Sequence, residues 1–274
     1  MTVAKNLAEL QEQIRTRYSD LSKRLQQVAQ YVIDNNNSVA FDTVAVIAKE
    51  ANVPPSTLIR FANTFGFSGF NEMKQLFRTN LIKETASYTE RVRLVREIGG
   101  ENASIDRPKD ILNEFARANA QAMQQLAAQT SADDLQHAID LLKAADTIYV
   151  MGLGRSFSVA TYLTYALRHI ERRTVLVDGL GGMFREQLNV ISDKDVVVSV
   201  SFSPYAEETV MVNNTAAQAG AKQIVITDSQ ISPLATLSDV CFVVKETQVD
   251  AFRSQSATLC LAQSIAVGLA FQSQ

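Results

Sequence analysis

The chain has 274 residues, 46% of them hydrophobic, and a formal net charge of −3, as expected for a globular protein of one or two domains. Two histidines and two cysteines are too few for a His/Cys zinc site or a disulfide-rich secreted fold. The negative total charge argues against a nucleic-acid partner, and the lack of any run of ~20 apolar residues argues against a membrane helix.

The first ten residues predict no targeting signal. Lys5 and Glu9 lie within them, and they contain no apolar core of the kind that a signal peptide needs. We therefore expect a cytoplasmic protein without a membrane partner. The residue counts also predict no metal site, and we expect no cofactor.

Residues 1–83 predict helices alone. Apolar residues recur at helical spacing, and the breaks between them contain Asn, Pro and Gly. The run Asn35–Ser38 is expected to end the second helix, and Asp42 or Thr43 to open the third. The predicted helices lie at about 7–18, 21–33, 44–51, 56–65 and 70–77. This half of the chain therefore predicts an all-α domain.

The rest of the chain changes its pattern. Residues 84–125 are polar and predict a linker followed by a connecting helix from Ile111 to about Ala128. Short β-branched runs then alternate with helical stretches, which is typical of a parallel sheet buried on both faces. The predicted strands are Thr147–Met151, Thr174–Val177, Val196–Val200, Gln223–Thr227 and Val240–Val244. The predicted helices between and after them are Asp134–Ala144, Ser156–Ile170, Glu207–Ala219 and Ser254–Phe271. We therefore expect an all-α domain followed by an α/β domain with a doubly wound five-stranded parallel sheet.

The charge divides unevenly between these two halves. Residues 1–83 contain ten Lys and Arg against seven Asp and Glu, a net charge of +3. Residues 84–274 contain sixteen against twenty-two, a net charge of −6. The helical half therefore permits a nucleic-acid partner that the total charge seemed to oppose, with modest, salt-sensitive affinity.

Ile47–Val53 followed by Pro54–Phe61 predicts a helix-turn-helix. Ala48 is small enough for two helices to cross closely, Val53 is apolar and can fill the turn, and a proline suits the first turn of a helix. Ser56, Thr57 and Arg60 are then expected to face outward, where the second helix can enter the major groove of DNA. A plain helical hairpin would show a similar pattern.

The continuation resembles the DNA-binding domain of RpiR-type bacterial transcription regulators. Arg60-Phe61, then Phe65-Gly66-Phe67-Ser68-Gly69-Phe70, then Met73-Lys74 match that family over roughly residues 5–80. The chain departs from the family at Pro54, where a serine cap is usual, and near Asn63 and Thr64, where a basic residue is common. The expected DNA-contacting residues are Lys49, Pro55, Ser56, Thr57, Arg60, Asn63 and Lys74.

The first predicted strand runs into Gly152-Leu153-Gly154-Arg155-Ser156-Phe157. Glycines after a strand let the backbone approach a ligand, and the next helix offers free N–H groups to an anion. A dinucleotide site is one interpretation, since Asp178 occupies the expected acidic position. Phe157 opposes it, because a third glycine should stand there to let helix and strand pack closely.

A second loop, Val200–Thr209, also follows a strand and contains Ser201 and Ser203. Gly-x-Gly-x-Ser together with this Ser-x-Ser is similar to the sugar isomerase (SIS) domain that RpiR regulators carry, as is Phe252-Arg253-Ser254. The resemblance implies a phosphosugar at the carboxyl ends of the strands. The family pattern Ser-Gly-x-Thr is replaced by Ser203-Pro204-Tyr205-Ala206, which removes one hydroxyl and keeps a sugar acid or polyol open as the effector. The expected effector-binding residues are Gly154, Ser156, Ser201, Ser203, Tyr205, Glu208 and His169.

The two resemblances imply a helix-turn-helix domain at 1–83, a linker and connecting helix at 84–125, and a flavodoxin-like SIS domain at 126–274. They imply a transcription regulator of carbohydrate metabolism that binds operator DNA as a homodimer or a dimer of dimers, and no catalysis. One alternative is a sugar-phosphate isomerase-like enzyme using Glu208 and His169 for proton transfer. Another is an oligomeric scaffold whose helical half binds protein.

Overall fold

The computed structural model describes residues 3–84, 87–99, 107–249 and 252–273. By its internal contacts the chain divides into two compact units, Met1–Asp106 and Arg107–Gln274. The first unit is helical, and the second contains a five-stranded, all-parallel sheet with helices. The predicted fold class is therefore confirmed. Among the described residues, no helix is both long and apolar enough to cross a membrane.

The first unit packs its helices around one apolar core. Its fully buried side chains include Leu10, Ile14, Leu58, Phe61 and Phe65. The helices are α1 (Leu7–Arg17), α2 (Lys23–Asp34), α3 (Asn36–Phe41), α4 (Val44–Glu50), α5 (Pro55–Thr64), α6 (Phe70–Glu84) and α7 (Tyr88–Gly99). The structure thus contains every helix that the apolar periodicity predicts in this unit.

Two helices of the first unit were not predicted. The run Asn35–Ser38, expected as a stop, instead begins α3, because Val39 and Ala40 are fully buried and supply packing that the asparagines lack. Helix α7 occupies a segment predicted as linker and buries Leu94. Part of that predicted linker, residues 100–106, lies outside the described residues.

The loop after α5 explains its glycine. Gly66 adopts φ +87°, and the amides of Gly66 and Phe67 donate to the carbonyls of Asn63 and Ala62. This is the left-handed helix end that glycine accommodates without strain. Phe67 and Phe70 are buried beyond it, so they attach α6 to the core as the sequence predicts.

The second unit is a doubly wound sheet. Its strands are β1 (Ile148–Gly152), β2 (Thr174–Val177), β3 (Val196–Val200), β4 (Lys222–Thr227) and β5 (Val240–Val243), in the order β2-β1-β3-β4-β5. Its helices are α8 (Pro108–Gln129), α9 (Ala132–Ala144), α10 (Phe157–His169), α11 (Phe184–Leu188), α12 (Glu207–Gln218) and α13 (Ser256–Gln272). A short antiparallel pair, β6 (Gln248–Val249) and β7 (Phe252–Arg253), precedes α13.

Alternate residues of β1 and of its neighbours β2 and β3 enter two different cores. Ile148 and Val150 of β1 pack with residues of α9, α10 and α13, whereas Tyr149 and Met151 pack with residues of α11 and α12. Both faces of the sheet are therefore covered, which is why its strands appear as continuous apolar runs. The strand order places a topological switch between β1 and β3, where open α/β sheets form their ligand crevice.

Candidate functional site

Helices α4 and α5 form the predicted helix-turn-helix. Ala48 and Val53 are buried at the crossing, and the amide of Val53 donates to the carbonyl of Ala48 at 2.9 Å. Asn52 takes the left-handed conformation in the turn, with φ 54°. No side chain caps the start of α5, but the amide of Thr57 donates to the carbonyl of Pro54 at 2.8 Å. A backbone turn therefore replaces the serine cap that this sequence lacks.

One face of α5 is buried and the other is exposed. Leu58, Phe61 and Ala62 lie in the core, and the exposed residues of the helix include Pro55, Ser56, Ile59, Arg60 and Asn63. Positions 56, 59, 60 and 63 follow the spacing of one helical face. Lys49, in the last turn of α4, is also exposed. Five of the seven expected DNA-contacting residues thus lie at the surface of this motif.

The other two expected contacts are buried. Thr57 was expected to face outward and is 5% exposed, because its position shares the core face with Phe61. Lys74 is 4% exposed, and its Nζ donates a short hydrogen bond to the carbonyl of Asp42. Burial, and then the charge of Arg78, lower the pKa of the Lys74 ammonium. The structure therefore places Lys74 in the helical unit as an anchor of the segment after α3, not as a surface cation.

A pair of lysine substitutions tests this placement. Lys74→Met keeps the apolar stem but leaves the Asp42 carbonyl without its donor, so we expect the free energy of unfolding to fall by about 1–2 kcal/mol. Lys49→Met, at an exposed position, is the matched control and should leave stability within about 0.5 kcal/mol of wild type. Urea unfolding measures both. Equal stability of the Lys74 variant and wild type would contradict the buried contact.

A pocket of about 230 Å³ lies at the carboxyl ends of β1 and β3, at the switch point. Its walls come from the loops that follow those two strands and from the residue that ends β7. The lining residues are Leu153, Gly154, Arg155, Ser156, Ser201, Phe202, Ser203, Pro204, Ala206 and Arg253. Position 152, at the end of β1, requires a glycine, because a Cβ there would lie 2.7 Å from the carbonyl oxygen of Ser156.

Three of the lining residues supply hydroxyl groups. Ser156 precedes α10 and is 7% exposed, Ser201 follows β3 and is 5% exposed, and Ser203 is exposed. Among the described residues, none of the three hydroxyls hydrogen-bonds another protein group. They are therefore open to a ligand, beside the start of α10, where the helix dipole favours an anion. Gly154, with φ +56°, completes the loop between β1 and Ser156.

The loop after β3 is held by hydrogen bonds to Asp228, the residue that follows β4. Asp228 accepts hydrogen bonds from the amide of Ser203 at 3.2 Å and from the hydroxyl of Tyr205 at 2.8 Å. Burial, and then this bond to Asp228, raise the pKa of Tyr205 to about 12, so the phenol is a donor at neutral pH. Tyr205 was expected to contact the effector. It does not line the pocket, and its bond holds the serine loop in place.

Two further expected residues lie away from the pocket. Glu208, in the first turn of α12, is exposed and does not line it. His169 ends α10, about 20 Å along the helix from the pocket at 1.5 Å per residue. There its ring packs at a tilt against that of Tyr165, with ring centroids 4.3 Å apart, beside Arg168 and Leu176. Within one chain, Glu208 therefore lies at the carboxyl ends of the strands and His169 near their amino ends, and their helices cover opposite faces of the sheet.

Comparison with known proteins assigns both units. Residues 8–87 match the family described as the helix-turn-helix domain of the rpiR family, and residues 141–273 match the SIS domain. The chain carries an rpiR-family helix-turn-helix domain followed by a SIS domain. An uncharacterized HTH-type transcriptional regulator of Clostridium perfringens is 25% identical over 231 residues, which are 83% of this chain and 78% of that protein.

Two other similar proteins bear on the domain order. The bifunctional protein glk of Paraburkholderia xenovorans is 29% identical over 95% of this chain, and this chain spans 40% of its length. The structure of the Vibrio vulnificus NanR protein complexed with ManNAc-6P aligns with a TM-score of 0.57 at 21% identity, over 96% of this chain and 92% of that one. The second comparison shows a shared fold.

Sequence reasoning missed three residues around the SIS pocket and one on the helix-turn-helix. Arg155 and Arg253 line the pocket, and Asp228 braces its loop. The motif Phe252-Arg253-Ser254, which is typical of such regulators, was the sequence signal that could have indicated Arg253. Ile59, 48% exposed on the open face of α5, was missed because an apolar residue in an amphipathic helix is usually assigned to the core.

Proposed function

We propose that this chain is an effector-responsive transcription regulator of carbohydrate metabolism, which binds operator DNA through α5 and a sugar phosphate in the SIS pocket. One observation carries the proposal: an exposed recognition-helix face and a pocket of open hydroxyls occur in the same chain. A metabolic enzyme does not require a DNA-binding unit, and a protein that only binds DNA does not require a ligand pocket. A regulator needs both. Such a protein works in the cytoplasm, where the chromosome lies.

The exposed face of α5 supports base recognition. An arginine guanidinium can donate two hydrogen bonds to O6 and N7 of guanine in the major groove, which assigns this role to Arg60. Asn63, one turn further along the same face, can pair with adenine. Ser56 and Lys49 suit phosphate contacts. Thr57 and Lys74 lie outside the proposed interface, since both are buried.

Ile59 is also part of the exposed face of α5 that we propose contacts bases, since an apolar side chain there can contact the methyl group of thymine. We expect Ile59→Ala to weaken operator binding about three- to tenfold. Replacing the contacted thymine by deoxyuridine, which lacks the methyl, should weaken wild-type binding and leave the variant unchanged. Thymines elsewhere in the operator are the control. If no deoxyuridine position distinguishes the two proteins in fluorescence anisotropy, Ile59 does not read a base.

The pocket supports an anionic sugar derivative as effector. Buried hydroxyls beside a helix start form the kind of oxyanion site that binds a phosphate. The fold relative from Vibrio vulnificus is named in complex with ManNAc-6P, and we extend that ligand class, a phosphorylated sugar, to this chain. The isomerase alternative needs a proton-transferring base beside the sugar carbonyl. Because Glu208 lies at the carboxyl ends of the strands and His169 near their amino ends, we propose that the chain does not convert its ligand.

Two copies of the chain are proposed to bind together. A single recognition helix buries little DNA surface, and a two-fold dimer reads half-sites about one helical turn apart. The long helix α8, which packs on α13, exposes Ile111 and Leu112, and α13 exposes Phe271. We propose these apolar residues as part of the contact between copies. The effector acts by binding one arrangement of the pair more tightly than the other.

Selection of bound sequences from a random pool of duplex DNA tests the proposal. The full chain should enrich an inverted repeat, with half-sites about 10 base pairs apart, and its affinity should fall steeply as salt rises. Enrichment of no sequence above the starting pool, at any salt concentration, would contradict the regulator and favour the scaffold.

A further inference from the structure

Arg253 occupies a fixed position at the SIS pocket. Its guanidinium carbon lies 4.5 Å from the centroid of the Phe202 ring, and Phe202 is a buried residue between Ser201 and Ser203. A guanidinium stacked on an aromatic ring keeps its donors at the edge of its plane. Arg253 is therefore a planar cation held directly over the segment that carries two of the three hydroxyls.

The segment around Arg253 is fastened to the other wall of the pocket. The amide of Ser254 donates to the carbonyl of Thr247 at 2.9 Å, and Phe252 pairs with Val249 across the β6–β7 hairpin. Two residues beyond Arg253, the Nε2 of Gln255 donates to the carbonyl of Arg155 at 2.5 Å. The hairpin and the loop after β1 thus hold Arg253 in register with the pocket.

The charge of the pocket points to its ligand. Its described lining contains two guanidinium groups, from Arg155 and Arg253, and no carboxylate. Of the loop Ser203–Ala206, the pocket is lined by Ser203, Pro204 and Ala206, which offer one side-chain hydroxyl and no charge. A cation at the edge of this loop can add charge-assisted hydrogen bonds, which are stronger than those of a neutral hydroxyl.

We propose that Arg253 is the charge-recognising residue of the effector site, so that the effector is a sugar derivative with a phosphate or carboxylate and not a neutral polyol. This inference rests on the proposed function, since it concerns the same pocket. The hydroxyls of Ser156, Ser201 and Ser203 donate hydrogen bonds to the anion, and Arg253 supplies the opposite charge. A neutral polyol could use the hydroxyls and would gain nothing from the guanidinium.

Thermal unfolding of the full chain at fixed ionic strength tests this assignment. The probes are millimolar inorganic phosphate, glucose 6-phosphate, gluconate and sorbitol, which separate phosphate, carboxylate and neutral ligands. We expect one or more anions to raise the Tm and sorbitol to leave it unchanged. Arg253→Gln should weaken the binding of that anion at least tenfold. Arg185→Gln removes the same charge from exposed α11 and should bind as wild type does.

The outcomes separate this inference from the proposed function. If Arg253→Gln binds the anion as tightly as wild type while Ser201→Ala with Ser203→Ala does not, the pocket stands and the role of Arg253 is wrong. Stabilisation by sorbitol alone would also overturn it.

If Arg253→Gln does not fold, Arg253→Lys, which keeps the charge and loses the planar fork, should bind with intermediate affinity. If the Arg253→Lys variant binds every probe, neutral or anionic, with the same affinity as wild type, the assignment is wrong. If no probe changes the Tm or DNA binding, both proposals fail.

Discussion

Replacing Arg60 by alanine is expected to weaken specific operator binding strongly. A bidentate arginine–guanine contact contributes about 1–3 kcal/mol of discrimination, and a two-fold dimer loses it at both half-sites. The expected fall in affinity is therefore about 30-fold to more than 10,000-fold for the operator, with binding to unrelated DNA only slightly weakened. Arg60 is exposed on α5, so the variant should fold. Fluorescence anisotropy with operator and scrambled duplexes measures both affinities.

The control for this variant is another arginine of the same unit. Arg15, on α1, has a side chain that is 58% exposed, in a weak pair with Glu12. Arg15→Ala removes one positive charge without touching α5, so it should retain operator affinity within a few-fold. If the two variants lose the same affinity, DNA binding responds to net charge alone and α5 does not read bases.

The second large effect concerns the SIS pocket. Ser201→Ala combined with Ser203→Ala should abolish the thermal stabilisation that the effector produces. A ligand present at a hundred times its Kd stabilises the folded state by about 2.7 kcal/mol, which raises the Tm of a unit of this size by roughly 5–10 °C. The variant should lose this shift because two of the three hydroxyls that surround the anion are gone. Differential scanning fluorimetry with and without ligand measures it.

A serine outside the pocket provides the comparison for the double variant. Ser264 is exposed on α13, where its hydroxyl donates to the carbonyl of Cys260. Ser264→Ala should keep the full ligand-induced shift and the Tm of the unliganded protein within a few degrees. Should the double serine variant still show the full shift, the effector binds elsewhere in the chain.

Much of the architecture was predictable because local patterns and long-range packing agree. All five central strands begin and end within one residue of the predicted bounds, since β-branched runs buried on both faces have few alternatives. The end of α5 at Gly66 was predictable for a different reason, because a left-handed helix end strongly favours glycine. Ser156, Ser201 and Ser203 converge because each follows the carboxyl end of a strand on one side of the switch point.

The remaining features depend on packing that a single sequence does not display. Helix α3 begins within an asparagine run and exists because its two apolar residues and the side chains of α6 hold it in place. Lys74 has the sequence pattern of a surface cation, and only its hydrogen bond to the Asp42 carbonyl shows that it is buried. His169 was expected near the pocket because it belongs to the helix that starts there, whereas the length of α10 carries it to the opposite end of the strands. Arg253 reaches the pocket only through the β6–β7 hairpin, which the sequence pattern did not reveal.

The dependence of operator affinity on the effector tests the central claim most directly. Labelled operator is titrated with the full chain, with and without the sugar derivative that raises the Tm, for wild type and for Ser201→Ala with Ser203→Ala. We predict that the effector changes wild-type operator affinity at least tenfold. The double variant should bind operator as tightly as wild type without effector, and its operator affinity should not change when the effector is added. Operator affinity that stays the same in the presence of a ligand that clearly stabilises the protein would contradict an effector-responsive regulator.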